Sequence, residues 1–261
     1  MTRNLVFASL FVLASVVGAS AQFGPPRPPA PPKSGKDGAP VDLTGYWVSV
    51  VTEDWRWRMV TPLKGDAASV PTNAAARKVI DAWDPAKDAA AGLQCKAYGA
   101  PAIMRVPGRL HITWQDDNTL KIETDAGQQT RLLHFGGPPP RGASPSWQGY
   151  SAAKWEAPLT SGFPGISFFT DRPLGATTRS LEAIPTQVRA GYLRKNGIPY
   201  SDKAVTKEYF DLFDEPNGDT WFMVTTVVED PVYLAVPFVT TSHFKKQPDS
   251  AGWHPEPCSA R

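Results

Sequence analysis

A period of two between apolar and polar residues dominates the middle of the chain. The stretches 110–114 and 120–124 alternate apolar with polar side chains, and 129–135 follows them as a third extended stretch. Successive side chains of a strand point to opposite faces, so this pattern predicts strands with one buried face. Turn-forming residues at 116–118 and 126–127 separate the three stretches. They therefore predict a three-strand meander with short connections.

Enrichment in aromatic and β-branched residues predicts further strands in both halves of the chain. The alternation of Trp-Arg-Trp-Arg-Met at 55–59 predicts another extended piece with one apolar face. Residues 158–177 fit either a loop or an extra hairpin. The remaining predicted strands are 43–51, 147–156, 179–188, 205–213, 220–228 and 237–246.

One segment has helical spacing instead. Its apolar residues fall on one helical face over 73–83, and Asn73 is a favourable N-terminal cap. A second short helix is predicted over 85–91, ending at Gly92. Together they form a small helical insertion at about residues 72–92.

The order of these elements predicts the fold class. Strands follow one another through short turns, without the alternation of strands and helices typical of parallel sheets. We therefore expect a mainly β protein, an antiparallel meander closed into a lipocalin-like barrel with a small helical insertion. A barrel of this strand number could hold one small ligand in its lumen. A two-sheet sandwich is the alternative.

The N-terminal residues predict export. Arg3, an apolar run over 5–19 and Ala-Ser-Ala at 19–21 are typical of a signal peptide at 1–21, cleaved after Ala21. The run is shorter than the ~20 residues of a membrane span. Residues 22–40 are rich in proline and predict a linker, followed by one barrel domain at 41–261. We expect a periplasmic or secreted protein.

Composition narrows the classes of partner. The chain of 261 residues has 27 basic and 25 acidic residues, a net charge of +2. This balance argues against nucleic-acid or anionic-membrane binding. The 27 prolines and nine tryptophans agree with a β-rich chain.

Two cysteines have a default interpretation in an exported protein. Cys95 and Cys258 are predicted to form a disulfide that ties the C-terminal tail to the body. The alternative is a thiol pair for metal or redox chemistry, but no Cys-x-x-Cys spacing supports it.

Several short elements resemble, in the same order, a large group of secreted bacterial proteins with a lipocalin-like, β-rich architecture and no assigned activity. The most specific is Pro-Ser-Trp-x-Gly-Tyr-Ser at 145–151. The likeness covers roughly 47–258, including both cysteines, and implies the fold and export. After Trp155-Glu156 this chain has a longer segment, 157–180, where the group continues directly into a Gly-Asp-Thr-Leu strand. The other shared elements are 101–104, 106–110, 124–125, 205–210 and 230–233.

Histidines and carboxylates on the predicted strands are the candidate catalytic residues. His111 and His243 could converge in the lumen, with Glu208 or Asp125 as the base. An imidazole beside a carboxylate suits general acid–base chemistry. A strand-end salt bridge of Glu208 with Arg109 or Arg131 is the alternative. No spacing indicates a metal site or a bound cofactor.

Aromatic side chains are the candidate substrate contacts, because large rings with a polar edge suit a planar aromatic ligand. Arg109 could hold an anionic group. The expected substrate-binding set is Tyr46, Trp47, Arg109, Trp147, Tyr150 and Tyr209.

These observations predict an exported small-molecule enzyme. We expect a metal-independent acid–base lyase, dehydratase or isomerase that acts on a hydrophobic or aromatic compound in the lumen. The alternatives are a non-catalytic periplasmic binding protein for such a ligand, and a carbohydrate-binding accessory module. The oligomeric state is left open.

Overall fold

Nine strands close into a barrel, which confirms the predicted fold class. A computed structural model describes residues 33–156 and 180–260. The signal peptide, most of the proline-rich linker and the ambiguous stretch 158–177 lie outside these residues. The barrel strands, in spatial order, are β1 (Gly45–Val50), β12 (Phe238–Gln247), β11 (Thr220–Glu229), β10 (Val205–Asp214), β7 (Ser180–Thr186), β6 (Tyr150–Trp155), β5 (Thr130–Phe135), β3 (Thr119–Thr124) and β2 (Arg109–Asp116).

Two short pairs lie outside the barrel. β8 (Gly191–Arg194) pairs with β9 (Ile198–Tyr200), and β4 (Ala126–Gly127) pairs with β13 (Glu256–Pro257). The predicted meander is present as β2, β3 and β5, paired antiparallel.

The barrel departs from a simple meander at one place. β5 and β6 pair parallel, with Leu133 opposite Ser151. The intervening residues 136–149 return the chain to the end of the barrel where β5 began. This segment is rich in glycine and proline, which explains why it forms a crossing connection and not a tight hairpin.

The helical insertion is confirmed. Helix α2 spans Ala74–Ala82, and the Asn73 side chain accepts hydrogen bonds from its first turn. Helix α3 spans Pro85–Ala90 and has an equivalent cap from Asp84. Two 3₁₀ helices follow, at Gln94–Tyr98 and Ile103–Arg105.

The extended piece predicted at 55–59 is wrong. Helix α1 occupies Trp55–Arg58 instead. Asp54 adopts a left-handed backbone conformation, φ 50°, and its carbonyl accepts from the Trp57 and Arg58 amides at 2.8 and 3.0 Å. This tight turn reverses the chain directly after β1, which local alternation cannot reveal.

A layer of helices and loops covers one end of the barrel, which we call the capped end. Strands β10 and β12 begin there and β11 ends there. Helix α2 and the β8–β9 hairpin pack their apolar side chains against the residues at these strand ends. The core of this layer contains Val70, Ala76, Ile80, Leu193, Ile198, Tyr200, Val228, Leu234 and Phe238.

The disulfide between Cys95 and Cys258 is confirmed. It joins the first 3₁₀ helix to the C-terminal tail. The same tail contributes β13, so a covalent bond and a short strand pair both hold it at the capped end.

At the opposite end, the last residues of the predicted linker pack on the barrel. The carbonyl of Gly35 accepts from the Trp155 indole at 2.7 Å, and its amide donates to Asn118 at 2.8 Å. The backbone of Gly35 also lies so close to Phe135 that a Cβ would collide with the ring. The part of the linker within the described residues is therefore packed.

Large side chains fill the middle of the barrel. Trp47, Phe210, Phe222 and Phe244 are all buried, and Phe222 contacts Trp47 edge to face and stacks on Phe244. Such packing favours a solid core. Aromatic rings therefore occupy the middle of the barrel, where the sequence predicted a ligand lumen.

Candidate functional site

Three buried arginines meet at the capped end, in a cleft between α1, the second 3₁₀ helix and β8. We call it the arginine cleft and define it by Arg58, Arg105 and Arg194, which are all less than 10% exposed. Arginine is rarely buried without an anionic partner, because removing the charge from water is costly. The cleft is therefore a candidate anion site.

Arg58 reaches the cleft because α1 turns it inward. The tight turn at Asp54 places the last residue of α1 against the barrel end. The Arg58 Nε donates to the carbonyl of Arg105 at 3.0 Å. This hydrogen bond holds the side chain in place, and no group in 33–156 or 180–260 bonds to either terminal nitrogen.

Arg105 has a carboxylate partner. Its Nη2 lies 2.9 Å from Asp54 Oδ2, and its guanidinium lies 5.4 Å from the centre of the Phe238 ring. Asp54 therefore has two functions: its backbone begins α1 and its side chain neutralises one of the three cations.

Arg194 is the last residue of β8, where the register with β9 shifts. Its Nη2 donates to the Ser69 hydroxyl at 2.5 Å, and its guanidinium lies 5.2 Å from the Trp57 ring centre. The buried Asn196 amide donates to the carbonyls of Leu63 and Asp66. These bonds join the 63–69 loop to the β8–β9 turn.

Strained backbone supports the partners of two arginines. Asp54 and Ser69 have φ values of 50° and 66°, in the left-handed region that few non-glycine residues adopt. Asp54 contacts Arg105 and Ser69 contacts Arg194. Such strain tends to cluster at functional sites, because surrounding structure must maintain it.

Five guanidinium nitrogens in the cleft have no hydrogen-bond partner within the described residues. They are Nη1 and Nη2 of Arg58, Nη1 of Arg105, and Nε and Nη1 of Arg194. A buried donor without a partner loses its hydration and gains nothing in return. These nitrogens have almost no solvent-accessible surface, so an anion would provide the missing acceptors once the side chains around them move apart.

Burial and mutual repulsion act on these charges. Burial, followed by the positive charge of Arg105, lowers the pKa of Arg58 to about 10, although Glu53 and Asp54 partly oppose this. The same two causes lower the pKa of Arg194 to about 10. Both groups still carry their charge at neutral pH, so the free cleft is cationic.

The rest of the cleft is largely apolar. Its volume is about 410 Å³, including the space open to solvent. Such a lining suits a ligand with one anionic group and an apolar body. The other lining residues are Trp57, Val60, Thr61, Pro62, Ala97, Ala102, Val106, Pro107, Leu193 and Lys195.

Glu208 points into the barrel and forms a salt bridge there, which was the alternative to its predicted role as a base. Its two oxygens accept from Arg131 at 3.0 and 2.6 Å, and both side chains are fully buried. Arg131 also contacts the Ser151 hydroxyl at 3.3 Å. A bidentate guanidinium is a strong partner for a carboxylate. The structure thus places Glu208 in the strand salt bridge with Arg131.

The two candidate histidines lie on the outer face of the barrel. His111 stacks on Tyr46 with ring centres 4.2 Å apart, and its Nδ1 lies 3.3 Å from Glu123. His243 Nδ1 lies 3.0 Å from the Thr52 hydroxyl. The expected convergence with Glu208 in the lumen is therefore wrong, because these histidines occupy strand positions adjacent to inward-facing ones.

Asp125 organises a turn between β3 and β4. Its Oδ1 accepts from the backbone amides of Arg109 and Ala126 at 2.7 and 2.6 Å. The Arg109 guanidinium lies beside Gly252 in the C-terminal tail. Neither residue shares a pocket with Glu208 in the described structure.

The aromatic candidates are dispersed. Trp47 is buried in the core, where its indole donates to the Leu43 carbonyl. Tyr150 stacks on His134, and Trp147 lies under the Arg189 guanidinium. The two remaining aromatic residues, Tyr46 on β1 and Tyr209 on β10, alternate with inward-facing neighbours and lie on the outer face. The structure does not bring the predicted substrate-binding set together.

Sequence reasoning missed the arginine cleft. Its three members come from distant segments and share no spacing motif. The available signal was the Trp-Arg-Trp-Arg run at 55–58, in which arginines follow indole rings. Because this alternation predicted a strand, the sequence did not indicate that a short helix turns Arg58 inward.

The described residues contain no group of three or more His, Cys, Asp or Glu side chains placed to hold a metal ion. In the same part of the chain, no helix is long and apolar enough to cross a membrane. No family model, curated protein or solved structure matches the chain. The likeness to secreted bacterial proteins therefore stays a prediction.

Proposed function

We propose that this protein binds a small organic anion in the arginine cleft. The five unpartnered guanidinium nitrogens of Arg58, Arg105 and Arg194 are the observation that carries the proposal. The ligand would have a carboxylate or phosphate at one end and an apolar or aromatic body. The sequence-based alternative of a non-catalytic binding protein is thereby favoured and made more specific.

The charge of the cleft supports an anion. Three guanidinium groups converge, and Asp54 forms an ion pair with one of them, Arg105. The remaining donors come from three elements: α1, the second 3₁₀ helix and β8. Guanidinium groups bind carboxylate and phosphate oxygens in a planar, often bidentate geometry. A ligand with two or three oxygens could therefore engage more than one arginine.

The walls of the cleft support an apolar body. Trp57, Val60 and Pro62 line the cleft, together with Val106 and Leu193. An inorganic ion would leave this surface without contact. A benzoate-like or short fatty acid-like molecule would use both features.

Acid–base catalysis, the first expectation from the sequence, has less support. Glu208 forms an ion pair with Arg131, and His111 and His243 lie on the outer face. The proposal therefore assigns none of them a role at the cleft. We infer that the protein works in an oxidising compartment outside the cytoplasm, because its cysteines form a disulfide.

Calorimetric titration tests the proposal. The probes are phenyl phosphate and benzoate, with benzyl alcohol as the neutral analogue and inorganic phosphate as the anion without a body. We expect both aromatic anions to bind and benzyl alcohol not to bind. Inorganic phosphate should bind more weakly than phenyl phosphate, since it leaves the apolar walls uncovered.

Matched variants connect binding to the cleft. Arg58→Met and Arg194→Met should each weaken phenyl phosphate binding by about tenfold or more, the usual effect of losing a hydrogen bond to a charged group. Arg141→Met is the control, because Arg141 is an exposed arginine in the 136–149 connection and does not line the cleft. Equal affinity in the wild type and both cleft variants would refute the proposal. Mass spectrometry of the recovered probe would reveal any turnover.

A further inference from the structure

The segment that borders the arginine cleft exposes large apolar side chains to solvent. Trp55, Met59, Val60 and Leu63 are 67%, 60%, 70% and 74% exposed. We call these four residues the apolar rim. Single exposed apolar residues are common on protein surfaces, but four within nine positions are a recognised sign of an interaction site.

The apolar rim is part of a wider asymmetry. Among the described residues, the other large exposed apolar side chains are Val205, Val236 and Val239. Val205 begins β10, and the other two flank the start of β12, so all three lie at the capped end. The rim lies at this end too, because Asn196 of the β8–β9 turn holds the Leu63 carbonyl. The exposed apolar surface is therefore concentrated at one end of the barrel.

Positive charge accompanies this surface. The segment 55–64 contains Arg56, Arg58 and Lys64 and no acidic residue, and Asp66 beyond it pairs with Arg56. Val60 belongs both to the rim and to the lining of the cleft. Glu53 and Asp54 precede this segment, and Asp54 pairs with Arg105, so the positive charge beside the rim comes from Lys64 and from the buried arginines of the cleft.

We propose that the capped end docks on a lipid bilayer that carries anionic phosphate headgroups. The apolar rim inserts at the boundary between headgroups and acyl chains, and a headgroup phosphate enters the arginine cleft. Tryptophan, aliphatic side chains and neighbouring arginine or lysine are the composition expected of an interfacial contact. This inference rests on the proposed function for the phosphate contact and extends it to a lipid.

The charge of the cleft favours a bilayer over a second copy of the chain. A symmetric dimer built on the rim would place two cationic clefts against each other. It would leave the unpaired nitrogens of Arg58 and Arg194 without acceptors. A bilayer with anionic headgroups provides acceptors and an apolar layer at adjacent depths.

Vesicle flotation tests the inference with the full exported chain. The vesicles are phosphatidylcholine alone, and phosphatidylcholine mixed with phosphatidylglycerol. The rim variant combines Trp55→Ala and Leu63→Ser at two exposed positions, which leaves the core intact. Trp221→Ala is the control, because Trp221 lies on the outer face of β11 at the opposite end.

We expect wild type and Trp221→Ala to float with phosphatidylglycerol vesicles and to bind phosphatidylcholine vesicles more weakly. The rim variant should lose about tenfold or more of this binding, the effect of withdrawing two large side chains from an apolar layer. Soluble glycerol phosphate should compete only partly, because it cannot contact the rim. A rim variant that floats as well as wild type would overturn the inference.

The design separates the two proposals. If the rim variant loses vesicle binding but still binds phenyl phosphate, both proposals are supported. If wild type binds phenyl phosphate but no vesicles, the bilayer inference fails and the proposed function stands. If wild type instead forms a dimer that the rim substitutions dissociate, a second copy occupies the rim and the bilayer inference fails. Rim-dependent flotation without any binding of phenyl phosphate supports docking and refutes the small-anion site.

Discussion

Replacing Arg58 by methionine should make the folded protein more stable, although it removes a buried side chain of a candidate site. The matched replacement, Arg131→Met, should have the opposite effect. Both arginines are buried, and both change to the same residue. They differ in their partners: Arg131 has Glu208, whereas both terminal nitrogens of Arg58 have no hydrogen-bond partner among the described residues.

The structure indicates the sizes of the two effects. Burial lowers the pKa of Arg58 to about 10, so keeping it charged at neutral pH costs about 3 kcal/mol, since one pKa unit is about 1.4 kcal/mol. Losing its hydrogen bond to the Arg105 carbonyl costs about 1 kcal/mol. The net expectation is a gain of about 1–2 kcal/mol. Arg131→Met leaves the Glu208 carboxylate buried and unpaired, a loss of about 3–5 kcal/mol.

Guanidinium chloride unfolding, followed by tryptophan fluorescence, measures both free energies with the disulfide intact. The buffer should be Tris chloride, because phosphate or carboxylate would occupy the cleft and stabilise the wild type by mass action. Similar losses of stability in both variants would refute the reasoning, since Arg58 would then be a paired structural residue. If Arg58→Met raises the free energy of unfolding and abolishes phenyl phosphate binding, Arg58 lowers the stability of the fold and is required for binding.

Three further predictions follow from particular contacts. Affinity for phenyl phosphate should stay constant from about pH 7 to about pH 9, where the ligand is a dianion, and fall above about pH 10. The free cleft needs protonated Arg58 and Arg194, whose pKa values are both about 10. Titrations over this range check the prediction, and full affinity at pH 11 would contradict it. Replacing Cys95 and Cys258 by serine should lower the free energy of unfolding by about 3–5 kcal/mol, measured against the oxidised wild type, because the bond closes a loop with a sequence separation of 163. Asp230→Asn should lower the free energy of unfolding by about 2–3 kcal/mol in the same assay. The buried carboxylate accepts three hydrogen bonds, and the NH₂ group of an asparagine would face one of these donors with a second donor.

The strands were largely predictable, and the reason is local. Aromatic and β-branched residues in 205–213 and 220–228 identified β10 and β11, whose buried faces follow the period of two of a strand. The helical insertion was also predictable, because Asn73 and Asp84 are capping residues placed before helical spacing. The pairing of Cys95 with Cys258 followed from having two cysteines in a chain predicted to be exported.

The same logic failed at 55–59, where Trp-Arg-Trp-Arg-Met alternates but forms α1. The left-handed turn at Asp54 decides this conformation, together with its contact to Arg105 from another segment. Alternation also could not say which strand neighbours which. The parallel pairing of β5 with β6 depends on the path of residues 136–149.

The predicted site failed for a related reason. Strand alternation left open which strand face points inward, and the outer face received His111 and His243. Glu208 did face inward, but whether an inward carboxylate becomes a base or an ion pair depends on Arg131, which is contributed by a strand on the far side of β6 and β7.

The sequence by itself determined the properties that neighbouring residues decide: the β-rich barrel, the helical insertion and the availability of two cysteines. Only the tertiary structure decided the properties that depend on partners from distant segments. Arg131 and Arg58 are both arginines in apolar surroundings, yet one meets a carboxylate and the other meets two more arginines. The free energy of a buried charge depends on what surrounds it in space. That is why the candidate anion site became visible only in the folded chain.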